Sequence, residues 1–109
     1  MDTYPNDADG DALRRIAENG TDMTKPISID FAVSIPDQSA GESLASKAEK
    51  LGFSTDLWQD SDSGDWTCYC SKTMLATYEG VVSTQAKLDE LAAPLGGFSD
   101  GWGTYGNEI

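Results

Sequence analysis

The stretch Asp60-Ser61-Asp62-Ser63-Gly64-Asp65 holds the densest oxygen chemistry in the chain. Carboxylates and hydroxyls packed this closely could bind a hard cation such as calcium. An EF-hand loop needs an oxygen ligand at its fifth position, glycine at its sixth and a bidentate Glu at its twelfth. Counted from Asp60, those positions hold Gly64, Asp65 and Ser71, so the pattern fails at all three. A solvated hairpin turn, with Gly64 supplying a positive φ, reads the stretch better.

Other chemistry is equally thin. Two carboxylates can act as acid and base only in different environments, one of them desolvated. With 19 acids in the chain, proximity alone carries no information. Only Asp30 lies inside an apolar run, and its parity places it on the polar face of a strand. Asp100 precedes a glycine and reads as a turn contact. The chain has no histidine, which removes the commonest general base and metal ligand. Cys68 and Cys70 would point to one face of a strand, about 6.5–7 Å apart along the chain. That geometry is poor for a bridge, and two thiolates are too few for a closed zinc site. They read as buried, reduced thiols, which fits a cytoplasmic protein. No GxSxG, Walker A or GxGxxG signature is present. The expectation is no catalytic residue, no cofactor and no metal.

Aromatics are the stronger candidates, because Trp and Tyr dominate interface hot spots. Trp58 and Trp66 flank the acidic turn and could pair across a hairpin. Trp102 and Tyr105 sit among glycines in Asp100-Gly101-Trp102-Gly103-Thr104-Tyr105. Their odd spacing sends them to opposite faces of a regular strand. The expected partner-binding set is Trp102, Tyr105, Trp58, Asp60, Asp62, Asp65 and Tyr69. The plainer alternative for Trp102 and Tyr105 is that both close a helix–sheet seam.

The elements that must position these groups follow from patterning. At 109 residues the chain is one domain by length. Its 39% hydrophobic content, with three Trp, four Tyr and three Phe, argues for a folded globule. Residues 1–9 read as a flexible acidic tail, without the apolar run of a signal peptide, and residues 10–109 as the domain. Asp9 or Asp11 could cap a short helix ending at Asn19-Gly20. Ile27, Ile29, Phe31, Val33 and Ile35 alternate with Ser28, Asp30, Ala32 and Ser34, the signature of a strand with one buried face. Asp37 or Ser39 could cap the next helix, with Ala40, Leu44, Ala48 and Leu51 on one face and Gly52 as its stop. Phe53–Trp58 and Trp66–Met74 read as a hairpin. Thr77 then caps a helix running to about Leu95, and Phe98–Tyr105 forms the last strand. Strand, helix, strand, strand, helix, strand predicts an α+β fold. Its specific form is a ferredoxin-like βαββαβ sandwich, an antiparallel sheet with two helices on one face, plus the short N-terminal helix.

Gly10–Gly20 followed by Lys25-Pro26, the Ile27–Ile35 strand, the Ala48–Phe53 helix exit and the terminal Asp-Gly-Trp-Gly-Thr-Tyr together resemble the RraB family. These are bacterial protein regulators of ribonuclease E activity, and the likeness covers the chain beyond residue 9. The resemblance implies a small acidic ferredoxin-like domain without catalysis, which binds the endoribonuclease and damps RNA cleavage.

Charge points the same way. Nineteen acids against seven bases give a net charge of −12. That field repels nucleic acid and anionic membranes, and it either steers basic protein partners or only keeps the chain soluble. A contrasting expectation is a small-ligand binder or small enzyme on the polar sheet face, lined by Asp30, Tyr69 and the hairpin acids. Direct RNA binding on the sheet is opposed by the charge.

Overall fold

The computed structural model describes residues 7–104. Its elements are α1 (Ala8–Glu18), β1 (Ile27–Ile35), α2 (Gln38–Lys50), β2 (Ser54–Gln59), β3 (Trp66–Met74), α3 (Tyr78–Ala92) and β4 (Phe98–Thr104), with a 3-10 turn at Ala93–Leu95 before β4. The four strands form one sheet in the order β2-β3-β1-β4, and every neighbouring pair is antiparallel. The fold is α+β, with three helices and a four-stranded antiparallel sheet.

Each helix starts where a short polar side chain takes over an orphan N–H. Asp37 accepts from the Ala40 N–H at 2.8 Å, and Thr77 from the Gly80 N–H at 3.0 Å. At α1 the cap is Asp7, which accepts from the Gly10 N–H at 2.8 Å. The sequence favours a cap at Asp9 or Asp11 and a loose tail through residue 9. Helix α1 instead begins at Ala8, because Asp7 occupies the cap and Asp9 is thereby drawn into the first turn. Residues 1–6 of the expected tail lie outside the described residues. The expected third helix is also cut short. Pro94 tightens its end into the 3-10 turn, and Gly96 closes that turn in the left-handed region at φ 82°.

The core lies between the sheet and the helices. Ile27, Ile29, Phe31, Val33 and Ile35 of β1 are buried, alongside Cys68 and Cys70 of β3. Leu44 and Ala48 of α2, Val81, Leu88 and Ala92 of α3, and Leu13 of α1 meet them. Phe53 packs edge-on against Phe31, with ring centroids 6.4 Å apart, and the Lys72 ammonium sits 5.1 Å from the Phe53 ring centre. Leu51, expected on the buried face of α2, is exposed, because the helix has already ended there as its C-cap. Cys68 and Cys70 are free thiols, their sulfurs 3.9 Å apart. The contact with Cys68, and then burial, push the Cys70 thiol far up, so it does not ionise in the physiological range.

Strand β4 carries one irregularity. Phe31 faces Trp102 and Val33 faces Ser99, so the register shifts between them and Asp100-Gly101 bulges. Gly101 sits at φ +96°, a backbone that side chains other than glycine resist.

Candidate functional site

The helices cover one side of the sheet and leave the other open. Register decides which side chains stand there. Across all four strands, one row reads Trp58, Thr67, Ser34, Phe98. The next reads Asp56, Tyr69, Ala32, and the third reads Ser54, Ser71, Asp30, Gly103. Directly opposite residues project to the same face, so these rows are one surface. Its three aromatics are well exposed: Trp58 at 59%, Phe98 at 53% and Tyr69 at 39%.

Two shallow grooves run over this surface. The first, about 680 Å³, is bounded by Trp58, Tyr69, Asp56, Asp60 and Asp30, with Thr67 and Ser71 as its floor. The second, about 430 Å³, lies on the β1–β4 side and includes Asp100, Ala32 and the Trp102–Thr104 segment. Asp30 and Tyr69 line both. Among the described residues, no lysine or arginine lines either groove. Lys72 is the only base carried by the described strands. Its register partner is Ile29, so it belongs to the helix-covered side.

Most of the carboxylates are tied to their neighbours. The Trp58 indole N–H donates to Asp56 Oδ2 at 2.7 Å, which fixes the ring over the strand. The Ser71 hydroxyl donates to Asp30 Oδ1 at 2.5 Å. Asp60 accepts the N–H groups of Asp62 and Ser63 at 2.8 and 3.1 Å. Those N–H groups, Ser63 first, hold the Asp60 carboxyl below its ordinary value. Among the described residues, no acid is buried, whereas acid–base chemistry needs one of two neighbouring acids desolvated. The surface is built to present charge and ring faces.

The sequence-predicted residues separate accordingly. Trp58, Tyr69 and Asp60 meet at the first groove. Asp62 and Asp65 stand in the exposed turn between β2 and β3, with Gly64 at φ 79°. Trp102 faces Phe31, packs against the core, and its indole N–H donates to Asp9 Oδ1 at 2.8 Å. Tyr105 lies outside the described residues. Trp58 and Trp66 do not pair. Trp58 faces Thr67 and Trp66 faces Gln59, a one-residue offset that sends the two indoles to opposite sides of the sheet. Asp56 and Phe98 were missed. Parity alone marks Asp56 as a same-face neighbour of Trp58, but Phe98 needed the bulged β4 register.

Among the described residues, no group of three or more Cys, Asp or Glu could hold a metal ion. No described helix is long and apolar enough to cross a membrane. The sequence model of one protein family, RraB, described as Regulator of ribonuclease activity B, matches residues 6–104. No curated protein matches the chain.

Proposed function

The chain belongs to the RraB family, and from that premise we propose that it regulates an endoribonuclease of the ribonuclease E type by binding it, without catalysing a reaction of its own. The observation that carries the reading is the family match over residues 6–104. The charge of −12 supports it, since such a field accelerates encounter with a basic protein and repels competing RNA. The open face supports it too, because exposed Trp and Tyr beside carboxylates suit contact with a macromolecule better than turnover of a metabolite. On this reading the protein works in the cytoplasm, where buried Cys68 and Cys70 stay reduced.

We read the architecture as ferredoxin-like. The sheet order β2-β3-β1-β4, with α2 and α3 as the two crossovers, supports that reading, and α1 is an addition packed on α3.

The test is a cleavage assay with a purified ribonuclease E-type enzyme and a structured RNA substrate. Added chain lowers the cleavage rate in a saturable way, and the effect weakens as salt screens the charges. Unchanged cleavage at saturating chain and low salt would overturn the proposal.

A further inference from the structure

This inference rests on the regulatory reading and names the chemistry of the partner. We propose that the open sheet face is the docking site for an extended, arginine-bearing segment of a protein partner. Its guanidinium groups stack on Trp58 and Tyr69, while Asp30 and Asp56 accept their N–H groups.

The sign of the ligand comes first. Asp30, Asp56, Asp60 and Asp100 border the two grooves, and among the described residues no base does. Only a cationic partner complements that surface, and a phosphate backbone is repelled by it. The aromatic faces then choose between cations. A guanidinium is planar, weakly hydrated and able to stack on a ring while its forked N–H groups reach a carboxylate. An ammonium is a compact, strongly hydrated point charge with no such fork. Trp58 and Tyr69 stand on adjacent strands, one row apart, with Asp56 beside both. The Trp58–Asp56 hydrogen bond holds the ring in place before a ligand arrives. An ionised carboxylate has about four acceptor positions, so Asp56 keeps acceptor capacity after that bond.

The shape selects an extended segment. The two grooves meet at Asp30 and Tyr69 and together track across the sheet. Small residues, Thr67, Ser71, Ser34 and Ala32, keep its floor low. A chain in strand conformation presents a side chain to one face about every 6.6–6.8 Å, so a short extended segment can place successive side chains in both grooves.

The experiment uses the full chain, isotopically labelled for NMR, at low salt. It is titrated separately with a Gly/Ser-spaced arginine peptide, a lysine peptide of the same length and charge, and a single-stranded RNA oligonucleotide. The arginine peptide produces saturable shifts at the Trp58 indole N–H and at the amides of Tyr69, Ala32 and Phe98. It binds about tenfold more tightly than the lysine peptide. The double variant Trp58→Ala, Tyr69→Ala loses about tenfold or more in arginine-peptide affinity, and so does Asp56→Asn with both rings intact. Glu90→Gln on α3 removes one charge from the opposite side and leaves binding unchanged. Equal affinity for the two peptides, shifts on the helical side, or tighter binding of the RNA would each overturn the proposal. If the arginine peptide fails while the chain still slows RNA cleavage, this docking inference falls and the regulatory reading stands. If the peptide binds as stated and cleavage is unaffected, the regulatory reading falls instead.

Discussion

The indole of Trp102, near the end of the last strand, donates to the carboxylate of Asp9 in the first helix at 2.8 Å. Asp9 also receives the side-chain amide of Gln85 at 3.1 Å. One carboxylate thus joins α1, α3 and β4. The glycine-rich terminal motif therefore has a structural use: the Gly101 bulge resets the register so that the indole stays on the helix-packed side.

Replacing Trp102 with Phe keeps an aromatic ring, though a smaller one than the indole, and removes the donor. The loss should be at least about 1 kcal/mol, the usual net worth of such a bond, with the lost ring volume adding to it. Faster amide exchange confined to α1 is the expected local sign. Uniform loss across the sheet, or no loss at all, would show that the bond does not hold the helix.

The Gly101→Ala variant tests the bulge. At φ +96° a Cβ is strained even where no neighbouring atom crowds it. The expected cost is about 1–2 kcal/mol in chemical denaturation. A neutral substitution would mean that the bulge relaxes freely.

Phe31 is fully buried at the centre of β1, with Phe53 standing edge-on to it. Phe31→Ala should cost about 3–5 kcal/mol, from lost burial plus the cavity left behind. A cost below about 1 kcal/mol would belong to a surface residue and would reverse the face assignment.

Acid should loosen α1 through its cap. The Tyr78 hydroxyl donates to Asp7 Oδ2 at 2.6 Å, and the Gly10 N–H donates to Oδ1. Both favour the ionised form, Tyr78 most, so the Asp7 carboxyl titrates below its ordinary value. A depressed folded-state value adds stability above the unfolded value, near pH 3.9, and that stability is lost as pH falls through the folded one. Carboxyl titration by NMR should therefore place Asp7 below an unperturbed aspartate, and Tyr78→Phe should move it upward. No movement in that variant would contradict the assigned cause.

Much of this was legible from periodicity. The β1 boundaries Ile27–Ile35, the cap at Thr77 and the positive-φ turn at Gly64 all rest on local rules that few tertiary contacts can override, whereas sequence left the α2 cap between Asp37 and Ser39 and the structure places it at Asp37. The site was less legible, because a surface is defined across strands. Whether Trp58 meets Trp66 depends on a single-residue offset in the hairpin, which a loop of this length leaves open. Phe98 joins the open face only through the β4 register beside the bulge. The Asp7 cap was hidden by three acids within five residues, any of which could have served.

The most direct measurement is RNA cleavage by a ribonuclease E-type enzyme with the chain and with its Trp58→Ala, Tyr69→Ala variant, both shown by thermal melting to be folded. The account predicts that the unmodified chain slows cleavage and that the variant leaves it nearly untouched. Equal slowing by both proteins would contradict the assignment of regulation to the open sheet face.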